Sequence, residues 1–362
     1  MQKILIVTCK KLGAGHYSAA LAIEKYLAKK EHIKVYFYDW EFIAGPLYEF
    51  LLKKFPKVWK HAYNLFDTEA YAEFSKGFEN NLFQKKVGKY LNAFDKIILT
   101  VPSAHYIGYN DKLAHKTYVL ITDYGKIPIA WTLYTPHTFF VTDPYTRSLL
   151  ERSNRYADAQ IHVSGIPVSR TTKDLALQSK HAIRQELGIV TTRFYTIVGG
   201  GVGDKGLIKV FKKLINLPQE QVENTGFMVV CGRNKKLYEA FNRLINTRGL
   251  QTVKITGFID NNLLLKYFRA SDMVITKPGG ITLTELINLQ TPIAVPFAHP
   301  QEYGNRNFVI KHKIGVVNEN IDDFFDLVLG QSSDELKAYE RNMREIAQYN
   351  SAEVIAETVI SG

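Results

Sequence analysis

The chain has 362 residues, of which 46% are hydrophobic, so it is long enough for two domains with full-sized cores. Its formal net charge of +11 is compatible with a nucleic acid or an anionic lipid surface as partner. The sequence carries no nucleic-acid-binding motif, so no nucleic acid is expected. The cysteine count excludes a disulfide framework, and Cys9 and Cys231 are expected to be buried free thiols.

The N-terminal residues, MQKILIVTCKKLGAGH, are typical of a strand that runs into a glycine loop. They lack the apolar region and the cleavage site of a signal peptide. No apolar run reaches the length of a membrane span, and no Cys/His cluster has metal-ligand spacing. The sequence therefore predicts a cytoplasmic protein with no metal site.

Strands and helices alternate along the first half of the chain. The predicted strands cover residues 3–8, 34–38, 96–101, 117–121, 139–142 and 159–163. A glycine loop at residues 13–16 precedes an amphipathic helix at 18–29. The uninterrupted apolar residues of the first strand are typical of a parallel sheet that is covered on both faces. This alternation predicts a doubly wound α/β domain.

A turn-rich break at Ser164-Gly165-Ile166-Pro167-Val168 precedes a second series of the same kind. Its predicted strands cover residues 194–198, 226–231, 253–256, 272–276, 292–295 and 315–317. We therefore predict one Rossmann-like domain over residues 1–168 and a second over residues 169–345. Residues 346–362 contain a further predicted helix.

Residues 40–65 interleave aromatic and leucine side chains with lysines. Segments of this composition bind well at an anionic membrane surface. The same residues are also compatible with two ordinary helices that cover the first sheet.

Two glycine turns in the second series have the composition of phosphate-binding loops. One contains Gly200, Gly201 and Gly203 after the strand at 194–198, and the other is Lys277-Pro278-Gly279-Gly280 after the strand at 272–276. Glycine lets the backbone approach a ligand closely, and the N-terminus of the following helix attracts a phosphate. The helix after the second turn is predicted to begin at residues 281–282.

Polar side chains suited to a sugar nucleotide surround the second turn. Glu285 is predicted to lie in the first turn of the helix, where its carboxylate would accept bonds from a ribose diol. A loop after the strand at 292–295 holds Gln301, Glu302 and Asn305, which suit sugar hydroxyls. Together these features predict a nucleotide-sugar site.

These residues also carry a resemblance to a known family. The patterns K-P-G-G-x-T-x-x-E and P-x-x-x-x-Q-E-x-x-N resemble the donor site of inverting GT-B glycosyltransferases of family 28, in particular the monogalactosyldiacylglycerol synthase and processive diacylglycerol beta-glucosyltransferase group. The segments 231–234 (CGRN), 256–258 (TGF) and 13–20 (GAGHYSAA) are similar to further motifs of that family.

The resemblance implies a GT-B architecture, with two Rossmann-like domains, an interdomain cleft and a last helix that crosses back to the first domain. It implies that the protein binds a UDP-sugar as donor substrate and needs no other cofactor. The donor-binding residues that it implies are Gly15, Gly200, Gly201, Gly203, Arg233, Phe258, Lys277, Gly279, Gly280, Thr282, Glu285, Gln301, Glu302 and Asn305.

The implied reaction is an in-line displacement with inversion, in which His16 or Asp123 accepts the proton of the acceptor hydroxyl. His16 has a second possible role, in binding the donor phosphates. Glycine-loop N–H groups, helix N-termini and Lys277 or Arg233 would stabilise the UDP leaving group. Because no D-x-D motif is present, no divalent metal is expected.

The sequence departs from the family where the acceptor is handled. After Thr122-Asp123 the family has a histidine and then a tryptophan, and this chain keeps Trp131 but has Ile127-Pro128-Ile129 at the histidine position. His299-Pro300 stands where the family usually has Pro-Gly. Because of both departures, the sequence does not identify the acceptor molecule.

The predicted function is transfer of glucose or galactose to a membrane lipid such as diacylglycerol. The protein would then be peripheral on the inner face of the cell membrane, bound through residues 40–65. Two alternatives remain. One is transfer to another lipid-linked or non-lipid acceptor. The other is a GT-B protein without transferase activity, such as a UDP-sugar epimerase or a sensor.

Overall fold

The computed structural model describes residues 1–10, 14–39, 67–68, 90–102, 111–131, 136–153, 156–199 and 205–362. The chain forms two compact units. The first contains Met1–Val168, Pro300–Asn305 and Asn350–Gly362, and the second contains Ser169–His299 and Arg306–Tyr349. The aromatic and basic segment at 40–65 lies outside the described residues.

The first unit contains a six-stranded sheet in which all neighbouring strands are parallel. Its strands are β1 (Gln2–Thr8), β2 (Ile33–Asp39), β3 (Lys96–Leu99), β4 (Thr117–Leu120), β5 (Thr138–Val141) and β6 (Gln160–Val163). The order across the sheet is β2-β1-β3-β4-β5-β6. Each strand overlaps a predicted one. The inner strands β3, β4 and β5 are buried almost throughout, as their continuous apolar runs require, whereas the edge strands β2 and β6 are partly exposed.

The second unit contains another six-stranded parallel sheet. Its strands are β7 (Arg193–Val198), β8 (Thr225–Val230), β9 (Val253–Thr256), β10 (Met273–Thr276), β11 (Ile293–Val295) and β12 (Gly315–Val317). The order is β12-β11-β10-β7-β8-β9. The predicted fold class, two Rossmann-like α/β domains, is confirmed.

Helices connect the strands and cover the sheets. Along the described residues they are α1 (Ala14–Leu27), α2 (Asp111–Ala114), α3 (Pro144–Glu151), α4 (Thr171–Ala176), α5 (Lys180–Glu186), α6 (Lys205–Leu214), α7 (Gln219–Val222), α8 (Lys235–Arg248), α9 (Asn261–Ala270), α10 (Gly280–Leu289), α11 (Tyr303–His312), α12 (Ile321–Leu329), α13 (Ser333–Ile346) and α14 (Ser351–Ser361). Short 3-10 turns form at Ile129–Trp131 and Pro300–Glu302.

Two predicted boundaries differ from the structure. Helix α1 begins at Ala14, four residues before the predicted start, so Gly15 and His16 lie in its first turn rather than in a loop. Alanine favours the helix, and a glycine in the first turn disturbs it little. Residues 346–349 belong to the second unit, where the Asn288 side chain donates to the Gln348 carbonyl at 3.0 Å and accepts from its N–H at 3.1 Å.

The core of the second unit lies where helices pack on its sheet. Phe211 of α6 stacks on Phe241 of α8, with ring centroids 3.6 Å apart and planes inclined by 15°. Gly315 lets β12 approach β11, since a Cβ there would lie 1.9 Å from the Ile293 carbonyl oxygen. The ring stack packs two helices of the second unit together, and the glycine lets the first residues of β11 and β12 pair closely.

The C-terminal helix α14 belongs to the first unit and packs on α1. Its Ile355, Ala356 and Val359 are completely buried. At the edge of the contact, Glu357 accepts hydrogen bonds from the Tyr26 hydroxyl at 3.0 Å and from the Lys30 ammonium at 2.7 Å. The apolar contact supplies most of the free energy, because exposed ion pairs contribute little.

Replacing Ile355 with alanine should therefore destabilise the first unit by about 2–5 kcal/mol, since the change leaves a cavity under the helix. Hydrogen exchange of the α1 amides, measured at several urea concentrations, would show the loss as faster exchange. The matched control is Val354→Ala on the exposed side of the same helix, which should change the free energy by less than about 0.5 kcal/mol. Equal effects of the two variants would contradict the assignment of this contact.

Candidate functional site

The strand order in the second sheet reverses between β7 and β10. From β7 the chain proceeds outward through β8 and β9, and it then returns to the other side of β7 as β10. Val198 pairs with Thr276 at the carboxyl ends of these two strands, so the two glycine turns start side by side. Open α/β sheets bind ligands in the crevice at such a reversal. Gly200, Gly201 and Gly203 lie outside the described residues.

The N-terminus of α10 opens directly from the second glycine turn. Gly279 occupies the N-cap position, and because it has no side chain the first N–H groups of the helix receive no capping bond from it. Gly280 and Thr282 lie in the first turn and are partly exposed, as is Lys277 before it. Backbone donors at the positive end of a helix suit a phosphate or diphosphate.

Glu285 does not lie in the first turn of that helix, as the sequence predicted. Since α10 begins at Gly280, Glu285 is its sixth residue and lies in the second turn. The glycine at the N-cap lets the helix start one residue before the predicted position. The Glu285 backbone is thus about 9 Å along the axis from the N-cap, at 1.5 Å per residue.

Burial dominates the chemistry of Glu285, which is only 4% exposed. Burial raises the pKa of this carboxyl to about 7, and a hydrogen bond with the Asn261 side chain acts in the opposite direction. Asn261 begins α9, directly after the loop that leaves β9. Asn261 was not among the predicted site residues, although its place after the N-cap Asp260 marks it as the start of a helix.

Arg233 and Phe258 follow β8 and β9 at the same edge of the sheet. The guanidinium carbon of Arg233 lies 5.0 Å from the centroid of the Phe258 ring. Phe258 is 63% exposed and Arg233 is exposed as well, so this ring belongs to no core. An exposed aromatic ring with a stacked guanidinium offers a flat surface for a planar base.

In the first unit, His16 and Asp123 come together at the carboxyl edge of the sheet. His16 Nδ1 is 3.3 Å from the Thr122 hydroxyl, and its ring meets the Trp131 ring edge-on with centroids 6.2 Å apart. The Trp131 indole N–H donates to Asp123 Oδ2 at 3.0 Å. The Thr142 hydroxyl oxygen lies 3.1 Å from the Asp123 carbonyl oxygen.

The protonation state of His16 bears on both roles that the sequence offers for it. Burial lowers the pKa of His16 to about 4, although a hydrogen bond with the Thr100 backbone raises it. The ring is therefore neutral at neutral pH and brings no positive charge to a phosphate. A base with a pKa near 4 is also weaker than one tuned to the working pH. An unperturbed aspartate has a pKa of about 3.9, so basicity does not separate His16 from Asp123 as the proton acceptor. The hydrogen bond from the Trp131 indole N–H to Asp123 Oδ2, which holds the carboxylate in place, favours Asp123.

Gln301, Glu302 and Asn305 were predicted in a loop of the donor domain, but Gln301 and Glu302 lie in the 3-10 turn Pro300–Glu302 and Asn305 lies in the first turn of α11. All three belong to the first unit. Asn305 is 1% exposed, and its Oδ1 accepts the Tyr124 N–H at 2.6 Å. Asn305 is thus bonded to a residue 181 positions earlier in the chain, which agrees with its assignment to the first unit. Glu302 is also buried, at 5% exposure.

A second hydrogen-bond network, which was not predicted from the sequence, lies beside the segment of residues 122–126 that carries Asp123. Asp143 caps α3 by accepting the N–H groups of Tyr145 and Thr146. Its other oxygen accepts the hydroxyls of Thr142 at 2.7 Å and Thr146 at 2.6 Å. The Asp-Pro pair at the start of the helix is the sequence signal for such a cap.

Among the residues that the structure describes, no group of three or more His, Cys, Asp or Glu side chains could hold a metal ion. In the same part of the chain, no helix has both the length and the hydrophobicity that a bilayer crossing requires.

Residues 194–359 match the glycosyltransferase family 28 C-terminal domain. This part of the chain is a family 28 glycosyltransferase domain. The whole chain is similar to proteins named processive diacylglycerol beta-glucosyltransferase. It is 26% identical to the one from Bacillus pumilus (strain SAFR-032), over 99% of this chain and 94% of that protein. It is 24% identical to the one from Bacillus subtilis (strain 168), over 99% and 95%.

Solved structures share the fold of this chain over nearly its whole length. Staphylococcus aureus MnaA with UDP has a TM-score of 0.65 at 12% identity, covering 99% of this chain and 96% of that one. UDP-GlcNAc 2-epimerase from Neisseria meningitidis has a TM-score of 0.64 at 13% sequence identity, and the match covers 100% of both chains. WaaG, a glycosyltransferase involved in lipopolysaccharide biosynthesis, has a TM-score of 0.59 at 17% sequence identity, and the match covers 99% of this chain and 100% of that one. At these identities the likeness shows the fold alone.

The raised pKa of Glu285 predicts a pH-dependent stability that Glu285→Gln should remove. Between about pH 4.5 and 7 the folded protein holds a proton that the unfolded chain releases, so the wild type loses stability as the pH rises through this range. Between pH 4.5 and 8, we expect the free energy of unfolding of the variant to rise relative to that of the wild type by on the order of 3 kcal/mol.

Denaturant unfolding of the two proteins at several pH values would measure this difference. Glu239→Gln, at an exposed position of α8, is the matched control and should follow the wild type at every pH. A constant difference between Glu285→Gln and the wild type from pH 4.5 to 8 would show that the buried carboxyl does not titrate in this range.

Proposed function

We propose that this protein transfers a hexose, glucose or galactose, from a UDP-sugar to a membrane lipid acceptor such as diacylglycerol, with inversion and without a divalent metal. The observation that carries the proposal is the glycine turn at the β7/β10 strand reversal, opening into the N-terminus of α10 inside a family 28 domain. Backbone donors at that place suit the diphosphate of a sugar nucleotide.

The residues around this turn support a uridine diphosphate group. The buried Glu285 carboxyl and the exposed Asn261 side chain form a hydrogen-bonded pair that would accept and donate bonds to ribose hydroxyls. Arg233 and Phe258 offer the stacking surface for the base. Structures of similar fold contain UDP, as in S. aureus MnaA, and this agrees with the proposed ligand class.

The names of the sequence relatives support a lipid acceptor. Several proteins similar to this chain over nearly its whole length are named for transfer of glucose to diacylglycerol. Peripheral binding to the inner face of the cell membrane through residues 40–65 is part of the same proposal. The net charge of +11 would favour an anionic surface.

The proposed mechanism is a single in-line displacement. Asp123, held by the indole N–H of Trp131, accepts the proton of the acceptor hydroxyl, and the neutral His16 lies beside it. The N–H groups at the start of α10 and the Lys277 ammonium stabilise the negative charge that develops on the UDP leaving group.

Incubating the protein with each UDP-sugar and a defined diacylglycerol, followed by mass spectrometry of the lipid phase, tests the proposal. A new glycolipid is expected. Glu285→Ala should weaken UDP binding by roughly 1–3 kcal/mol, since ribose hydroxyls lose their buried partner. Glu239→Ala is the control. Release of an isomerised sugar without glycolipid would identify an epimerase, and binding without turnover would identify a sensor.

The absence of a metal requirement is tested separately. Activity should persist in excess chelator, because backbone N–H groups and a lysine are proposed to neutralise the diphosphate. The rate of glycolipid formation in EDTA, with and without added magnesium or manganese, is the measurement. Complete loss that either cation restores would overturn this part of the proposal.

A further inference from the structure

The side-chain amide of Asn305 bridges two consecutive residues of the segment that carries Asp123. Its Oδ1 accepts the Tyr124 N–H at 2.6 Å. Its Nδ2 lies 3.5 Å from Asp123 Oδ1, at the long limit of a hydrogen bond. Asn305 is 1% exposed, so both amide ends face protein atoms rather than solvent.

The first of these contacts fixes the orientation of the amide. A backbone N–H can only donate, so the atom of Asn305 that faces it has to be the oxygen. The NH₂ end is then the one that faces the Asp123 carboxylate. Hydrogen bonds to catalytic groups are often long in the absence of substrate and shorten in the enzyme–substrate complex. The other oxygen, Asp123 Oδ2, is held by the Trp131 indole at 3.0 Å.

The backbones of the two segments also pack directly on each other. A Cβ at Gly304 would lie 2.3 Å from the Tyr124 carbonyl oxygen and 2.7 Å from the Lys126 nitrogen. Opposite it, Gly125 has φ +71°, and a Cβ there would lie 3.1 Å from the Gly304 carbonyl oxygen. This approach places the loop that carries Gln301 and Glu302 against the Asp123 segment without intervening side chains.

We propose that Asn305 is a positioning residue for Asp123, and that through it the loop with Gln301 and Glu302 sets the orientation of the catalytic carboxylate. The role given to Asp123 rests on the proposed function. The assignment replaces contact with sugar hydroxyls, which the sequence pattern suggested for Asn305. The amide does two things: it anchors the Tyr124 backbone and it donates to the ionised form of Asp123.

Other ionisable groups surround Asp123 and are left unchanged by substitutions at 305. His16 is on α1 and faces Thr122. Asp143, just before α3, accepts the hydroxyl of Thr142, whose oxygen lies 3.1 Å from the Asp123 carbonyl oxygen. Lys126 is paired with Asp67 at 2.6 Å. Changes in Asp123 titration on substitution at 305 are therefore attributed to the amide.

Asn305→Asp separates the two parts of the role. The new carboxylate still accepts the Tyr124 N–H, but it cannot donate to Asp123 while ionised and adds a like charge beside it. Like charges raise the pKa of a carboxyl, so the midpoint of the Asp123 titration should rise by at least one pH unit. Asn305→Ala loses both contacts without adding charge, and a smaller rise is expected. Asn307→Asp, exposed and two residues further along α11, is the matched control.

The Trp131 indole N–H reports this titration without any enzyme assay, because it donates to Asp123 Oδ2. Its ¹H–¹⁵N NMR signal, assigned with Trp131→Phe, should shift with pH and should stop responding in Asp123→Asn. A midpoint in Asn305→Asp equal to that of the wild type and of Asn307→Asp would overturn the proposal. Asn305 would then serve only as an acceptor for the Tyr124 backbone.

Glycolipid formation provides a second measurement. Both substitutions at Asn305 should lower kcat 10- to 100-fold and leave the KM for the UDP-sugar within about threefold, and in Asn305→Asp the acidic limb of the pH profile should move to higher pH. Unchanged kcat and pH profile would contradict the positioning role. If the wild type makes no glycolipid, the proposed function fails, and the NMR titration still decides whether Asn305 controls Asp123.

Discussion

The reversal of strand order at β7 and β10 is the constraint on which the donor half of this molecule depends. Two parallel strands that are neighbours in the sheet send their connections in opposite directions, and this leaves a crevice at their carboxyl ends. The turn of Lys277, Pro278, Gly279 and Gly280 starts at this crevice. The helix that follows begins at Gly280, and its N-cap residue, Gly279, has no side chain to cap the first N–H groups. The strand reversal thus places a glycine turn and the positive end of a helix at the same point of the sheet.

Burial determines the charge states in both units. Glu285 is a carboxyl whose pKa is raised toward neutrality, and His16 is an imidazole whose pKa is lowered well below it. Each group therefore favours its neutral form more than it does in water. In the first unit this leaves the carboxylate of Asp123 to interact with fixed dipoles, namely an indole N–H and a side-chain amide. Donors that are fixed in advance stabilise a carboxylate without a reorganisation cost.

The sequence predicted the two sheets well, because each buried parallel strand is a continuous apolar run, as in residues 3–8 and 194–198. The glycine turn at 277–280 was also readable, since composition and position agree there. What the sequence did not reveal depends on distant contacts. The placement of residues 300–305 follows from the Asn305 contact with Tyr124, and the depth of Glu285 follows from the packing around α10. Helix starts at Ala14 and Gly280 were misplaced because alanine and glycine carry no strong capping signal.

The exposure of Phe258 has a thermodynamic consequence. A phenyl ring that is 63% exposed keeps apolar surface in contact with water. A planar ligand that stacks on it removes this surface from water and brings its own apolar face with it. Burial of apolar area lowers the heat capacity, so the enthalpy of such an association becomes more negative as the temperature rises. The Arg233 guanidinium, which already shields one side of the ring, limits the size of this change.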